Sequence, residues 1–170
     1  MSTVLALVGN PRPESRTHTI ARQLAAAIAR ELDGSTDEVD LAVLGARVLD
    51  FEDETARAAT ERVLGADVLV VASPTYKATY SGLLKAFLDR FGGGSLGGAP
   101  AVPVLLGGAP NHTLAVDVHF TPLLAELGAS IPVRGLFVLE SAVEGFDAFA
   151  QDWAREHAPA LRPPASARLL

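Results

Sequence analysis

Val4-Leu5-Ala6-Leu7-Val8-Gly9-Asn10-Pro11-Arg12-Pro13-Glu14-Ser15-Arg16-Thr17 is the stretch whose reading decides the fold. Val4–Val8 is an unbroken apolar run with β-branched ends, which suits a strand covered on both faces in a parallel sheet. The glycine, asparagine and prolines that follow break it into a loop. Beyond the loop the period changes, and Thr19–Leu32 places Ile20, Leu24, Ala27, Ile28 and Leu32 on one helical face. A strand handed over to an amphipathic helix through a short loop opens a βα unit.

The alternation continues along the chain. Val68–Ala72, Val102–Leu106 and Val133–Leu139 read as further strands, with a weaker candidate at Glu38–Val43. Ala56–Leu64, Ser81–Phe91, Leu114–Leu127 and Val143–Ala160 read as the helices between and after them. At 170 residues this is one domain. The pattern predicts a three-layer α/β sandwich of about five parallel strands, with right-handed crossovers that place helices on both faces. No internal repeat is present. Gly92-Gly93-Gly94-Ser95-Leu96-Gly97-Gly98 reads as a flexible connector between a helix and a strand. The domain is expected over residues 1–158, with 159–170, which contains Pro159, Pro163 and Pro164, as a tail outside the packed body.

Composition removes several chemistries. There is no cysteine, so no disulfide, thiolate nucleophile, iron–sulfur ligand set or Cys-based zinc site exists. The histidines form no metal-binding spacing with Asp or Glu. Fourteen Lys and Arg against twenty Asp and Glu give a net charge of −6, which argues against nucleic-acid or anionic-membrane partners. The first residues lack the basic segment of a signal peptide, and no window approaches the ~20 apolar residues of a membrane span. A cytoplasmic location is the expectation.

The loop after the first strand carries an anion-binding pattern. Unpaired N–H groups and the positive end of the dipole at the following helix start favour a phosphate. Ser15, Thr17 and Thr19 offer hydroxyl donors, and Arg12 a charged fork. The simpler alternative is that Ser15 or Thr17 caps the helix while Arg12 and Arg16 are solvated. No Gly-x-x-x-x-Gly-Lys-Ser/Thr occurs, and the Gly-x-Gly-x-x-Gly at Gly92, Gly94 and Gly97 follows a helix and precedes a strand, the reverse of the dinucleotide context.

The strand at Val68–Ala72 opens into Ser73-Pro74-Thr75-Tyr76-Lys77-Ala78-Thr79-Tyr80-Ser81-Gly82, which holds both tyrosines of the chain. In an open α/β sheet, ligands sit beyond the carboxyl ends of the strands at the switch point, where this loop and the phosphate loop lie side by side. A planar heterocycle in the second loop and packing of Tyr76 and Tyr80 on the adjacent helix are the two readings. Leu83, Leu84, Phe87, Leu88 and Phe91 spread over more than one stripe, so that helix is either internal or buries a second face against another subunit. Gly107 and Gly108 either admit a ligand close to the backbone or make a tight turn. His112 reads as a surface or cap residue rather than a base.

Together the three loops resemble the NAD(P)H-dependent FMN reductases of the flavodoxin-like group, above all those that serve two-component alkanesulfonate monooxygenases. The carrying segments are Gly9–Thr17, Ser73–Asp89, and Gly107-Gly108 through Leu114-Ala115-Val116-Asp117 to Pro122. The resemblance spans Val4 to Glu140. It implies a flavodoxin-like fold with strand order 2-1-3-4-5 and FMN at the strand ends. Arg12, Ser15 and Thr17 would hold the phosphate, Pro74, Thr75, Tyr76 and Lys77 would line the isoalloxazine ring, and Gly107 and Gly108 its pyrimidine side. NADPH or NADH would be the cosubstrate, a flavin-dependent monooxygenase the partner, and a homodimer or homotetramer the assembly. Asn10 stands where the family usually has Ser. Relatives carry an aromatic residue or His after the Asp of Ala-Val-Asp, at a π-helical bulge of the tetramer interface, where this chain has Val118 and then His119.

Hydride transfer from nicotinamide C4 to flavin N5 needs no obligatory side-chain acid or base, so no catalytic residue is expected. An FMN-retaining quinone or azo reductase and a flavodoxin-type electron carrier are the alternatives. Arg12 and an aromatic content of 6% favour the reductase over the carrier.

Overall fold

The computed structural model describes residues 2–163. Five strands, β1 (Thr3–Val8), β2 (Ser35–Asp40), β3 (Val68–Pro74), β4 (Ala101–Gly107) and β5 (Leu136–Leu139), form a parallel sheet in the order β2-β1-β3-β4-β5. This is the flavodoxin-like order expected from the resemblance. Every residue of β3 and β4, and all of β1 after Thr3, is buried, because helices cover both faces.

The helices are α1 (Arg16–Glu31), α2 (Leu41–Leu44), α3 (Glu54–Leu64), α4 (Gly82–Leu88), α5 (Thr121–Glu126) and α6 (Phe146–His157). Val4, Ala6, Val8, Val70 and Val104 point toward Ile20, Leu24 and Ile28 of α1 and Phe146 and Trp153 of α6. Leu5, Leu7, Leu69, Val71 and Leu105 point the other way, to Val63 of α3, Leu84 and Phe87 of α4 and Leu124 of α5. The period of two along each strand therefore sorts the core into two halves. Each fully buried Leu or Phe here contributes ~1.5–3 kcal/mol relative to exposure, which makes the helix layers the main stabilising element.

Several boundaries differ from the sequence reading, each for a local reason. The second strand is Ser35–Asp40 rather than Glu38–Val43. Asp40 caps α2 by accepting the Ala42 N–H at 3.0 Å, so the apolar residues after it turn into helix. The polar residues before it pair with β1 because an edge strand needs its backbone, not apolar side chains, to join the ladder.

The fifth strand is shortened to four residues. Pro103 lacks an N–H, and Ala101 N–H donates to Ser130 O at 2.8 Å, so the ladder starts only where Val104 meets Leu136. The glycine-rich run is pinned rather than free: the N–H groups of Gly94, Leu96 and Gly98 donate to the carbonyls of Glu126, Leu127 and Gly128, and Leu96 is buried. Leu114–Leu127 is not one helix but a π-helical turn, Val116–Phe120, running into α5.

Leu84, Phe87, Leu88 and Phe91 are internal, which leaves Leu83 as the large apolar side chain of α4 partly on the surface. After α6 a 3-10 turn, Ala158–Leu161, buries Leu161 completely in the α1/α6 core. Packing thus continues through Leu161, and 164–170 of the expected tail lie outside the described residues.

Arg62 of α3 ties that helix to the edge strand. Its guanidinium binds both carboxylate oxygens of Asp37 and donates to Glu38 O at 2.7 Å. The Arg62 hydrogen bond holds the Asp37 carboxyl below the usual carboxylate range. Because the folded value is depressed, the stabilisation is present above the ordinary carboxyl value of ~3.9 and is lost as pH falls through the lower folded value. Both side chains are partly solvated, so Asp37→Asn is expected to cost only ~0.5–1 kcal/mol at pH 7. Urea denaturation of wild type and variant from pH 7 to pH 3 should show the two curves converging at the acid end.

Candidate functional site

The carboxyl ends of β1, β3 and β4 are adjacent in the sheet, and their loops meet at the edge where the crossovers diverge to opposite faces. All the residues predicted for the site lie on this edge. Arg12, Ser15 and Thr17 follow β1, Pro74 to Lys77 end β3 and begin its loop, Gly107 ends β4 and Gly108 follows it.

The loop after β1 is built around Asn10, which is only 7% exposed. Its Oδ1 accepts the Arg12 N–H at 2.9 Å and its Nδ2 donates to Thr17 Oγ1 at 3.0 Å, so one amide folds the loop and ties it to α1. Ser15 caps α1 by accepting the His18 N–H at 3.2 Å. Both hydroxyls are acceptors in these bonds and each keeps a proton to donate, Ser15 from a partly exposed position and Thr17 from a fully buried one.

The first turn of α1 contains no acid, although the exposed carboxylate of Glu14 stands directly before the Ser15 cap. Arg12 is exposed, whereas Arg16 is engaged with Glu140 at 2.8 Å, beyond β5. Thr19 is turned back on its own helix, donating to Ser15 O at 3.4 Å, and does not join Ser15 and Thr17 as a donor.

The loop after β3 is a tight hairpin. Tyr76 N–H donates to Thr79 O at 2.8 Å and Thr79 N–H to Tyr76 O at 3.1 Å. The two residues between them, Lys77 and Ala78, have φ of 51° and 64°, the geometry of a type I′ turn without its usual glycine. Glu14, in the neighbouring loop, has φ of 49°. Such strain in side-chain-bearing residues collects at ligand sites. Tyr76 is 43% exposed, while Tyr80 packs on Phe120 with ring centroids 5.5 Å apart. The two readings of the tyrosines thus divide between them.

Close packing and an unmet polar atom mark the third loop. A Cβ on Gly107 would stand 2.5 Å from Phe137 Cζ and 3.3 Å from Thr75 Oγ1, so the residue at this point must lack a side chain. Thr75 N–H is satisfied by Leu106 O at 2.7 Å, but its Oγ1 is buried with no hydrogen-bond partner. A buried hydroxyl without a partner is costly enough to call for an explanation, and a ligand edge would supply one. Gly108 beside it is open. His112 sits in a 3-10 turn, where its ring nitrogen meets the Asn111 amide at 3.2 Å. No cluster of three metal-ligating side chains occurs among the described residues.

Residues 2–144 match the NADPH-dependent FMN reductase family. The chain belongs to that family. It is 33% identical to the FMN reductase (NADPH) of Escherichia coli K12, over 98% of this chain and 83% of that protein. It is 31% identical to the NADH-dependent FMN reductase SfnF of Pseudomonas putida, over 85% and 79% of the two chains. The apo crystal structure of the NADH:FMN oxidoreductase EMOB superposes with a TM-score of 0.88 at 31% identity, covering 99% of this chain and 94% of that one.

The protein is therefore an FMN reductase, an oxidoreductase that uses FMN and NADPH or NADH. The residues at the edge fit that cofactor: hydroxyl protons and an arginine for a phosphate, an orphaned hydroxyl for a polar ring edge, and a tyrosine for a ring face.

Sequence reasoning did not single out Ser73 and Ser81, which are buried at this edge of the reductase. A Ser directly before the Gly82–Leu88 helix carried a capping signal, but its second partner, Gly9 O, is 72 residues away. A π-helical turn forms at Val116–Phe120 even though Val118 and His119 depart from the family pattern there, with Asp117 bound by Arg134 at 2.7 Å and Val118 exposed.

Ala78→Gly should relieve the hairpin. Removing a left-handed Cβ gains ~1–2 kcal/mol, against which the glycine loses ~0.4–1 kcal/mol through the freer unfolded chain. A net stabilisation of roughly 0.5–1 kcal/mol is expected, read as a higher denaturant midpoint at unchanged m.

Proposed function

We propose that this FMN reductase holds FMN across the β1, β3 and β4 loops, exchanges it, and supplies the reduced flavin to a flavin-dependent monooxygenase. The observation that carries this reading is the single exposed aromatic, Tyr76, in the ring loop, since Tyr80 is committed to Phe120. One stacking face suits a flavin that comes and goes better than an enclosed prosthetic group. An enclosed flavin would suit an electron carrier or a quinone or azo reductase. The relatives, FMN reductases of both nicotinamide specificities, agree with a flavin treated as substrate.

In the proposed site Arg12 forks onto the phosphate while the Ser15 and Thr17 hydroxyls donate to it. The α1 N-terminus adds its dipole. Tyr76 and Pro74 cover one side of the ring, Lys77 stands at the hairpin tip, and the Thr75 hydroxyl and the backbone at Gly107 and Gly108 meet its polar edge. Bound FMN supplies the acceptor for a hydride from reduced nicotinamide. The protein contributes orientation and water exclusion rather than an acid or base.

A homodimer or homotetramer is part of the proposal. The surface of α4 at Leu83 and Ala86 adjoins exposed Leu49, and Leu114 and Val118 are exposed around the π-helical turn. No helix of the described residues is long and apolar enough to cross a membrane.

Anaerobic and aerobic oxidation of NADPH and NADH by the purified protein, with and without added FMN, tests the activity. Gel filtration of the FMN-loaded protein tests exchange. Oxidation dependent on added FMN and loss of flavin on the column are the expected results, and flavin that stays bound through the column would overturn the supplier reading. Arg12→Ala should raise the FMN Kd by roughly tenfold, the value of a charge-assisted contact, and leave riboflavin binding unchanged.

A further inference from the structure

Phosphate and ring are two ends of one ligand, and the loops proposed for them come from different strands. The distance between those loops must be fixed if one molecule is to satisfy both. At the junction stands Ser81, 1% exposed, the cap of α4. Its Oγ accepts the Leu84 N–H at 3.1 Å and donates to the carbonyl of Gly9, the first residue of the phosphate loop. Its N–H donates to Ser73 Oγ at 2.8 Å, and Ser73 Oγ donates to Pro74 O at 2.8 Å. Ser73 and Ser81 thus close the ring loop at its base, and the Ser81 hydroxyl fastens that base to the phosphate loop. The backbone of Gly9 completes the joint by donating to Ala72 O at 2.7 Å.

We infer that Ser81 is a positioning residue whose hydroxyl sets the spacing between the two loops and so makes the phosphate and ring ends of FMN bind cooperatively. This rests on the FMN placement proposed above. Tethered ends behave as a chelate: the second contact is intramolecular only while the loops match the ligand's fixed span. Loss of the hydroxyl frees the Gly9 carbonyl and the Leu84 N–H it caps, while the Gly9–Ala72 backbone bond stays and each loop keeps its own internal bonds, through Asn10 in one and Ser73 in the other. Each end should then bind nearly as before, and only the advantage of binding both is lost.

The test compares FMN with riboflavin, which has the same ring and no phosphate, by flavin fluorescence quenching on the full-length protein. Wild type should prefer FMN. Ser81→Ala should weaken FMN about tenfold and riboflavin by less than about twofold, collapsing the preference. Ser81→Thr, which keeps the hydroxyl, should restore it. In steady state the KM for FMN should rise in Ser81→Ala while kcat at saturating FMN changes less than about threefold.

Should Ser81→Ala fail to fold, Ser81→Cys retains the side-chain size with a weak donor, and the same loss of preference is expected. Parallel weakening of FMN and riboflavin would overturn the proposal, since it would mean general loosening of the edge. A wild-type preference that survives in the variants overturns it alone. Equal wild-type affinities overturn the phosphate-loop placement and this inference with it.

Discussion

Gly9 gives its N–H to Ala72 O and its carbonyl to the Ser81 hydroxyl, and a Cβ on it would fall 2.6 Å from Leu84 Cβ. At this one residue the last rung of the β1–β3 ladder, the start of the phosphate loop and the docking of α4 coincide. Any side chain there would push α4 off the sheet edge, because Leu84 is fully buried against the strands and has nowhere to retreat. The shape of the functional edge follows from that contact. With α4 seated, its cap residue reaches across to the neighbouring loop, and the hairpin between β3 and α4 is held over the strand ends.

Much of this was legible in the sequence because parallel strands buried on both faces announce themselves as apolar runs. Val4–Val8, Val68–Ala72 and Val102–Leu106 lie inside the observed strands. Placing the loop residues on one edge followed from topology alone, since the switch point fixes which loops are neighbours. The errors fell where backbone pairing or a distant partner outweighed local apolarity. The edge strand β2 is polar and was displaced toward Leu41 and Val43, which in fact begin a helix. Nothing local marks the glycine run as fixed, because its partners are carbonyls at the end of α5. The roles of Ser73 and Ser81 are equally invisible in one dimension: their polarity is satisfied only when chain segments far apart in sequence come together.

The charge balance of the chain bears on the same edge. A net charge of −6 would repel an anionic ligand, yet no acid lies in the first turn of α1, Arg12 faces solvent beside Glu14, and Glu140 nearby is paired with Arg16. Local arrangement, over distances shorter than the ~8–10 Å screening length, overrides the global sign. The chain has no cysteine, and FMN, the cofactor of its family, carries the electrons in this reductase.

The outer strand β2 has a bearing on the protein's behaviour in crowded solution. At one rim of the sheet Arg62 already occupies the Glu38 carbonyl of β2, and the opposite rim, β5, is only four residues long. A second copy that approached either rim to extend the sheet would meet a side chain seated on the edge at one side and too few free backbone groups at the other. Sheet-to-sheet polymerisation is therefore discouraged at both ends. The proposed self-association would then fall to the helical surfaces, where it can close on itself and stop.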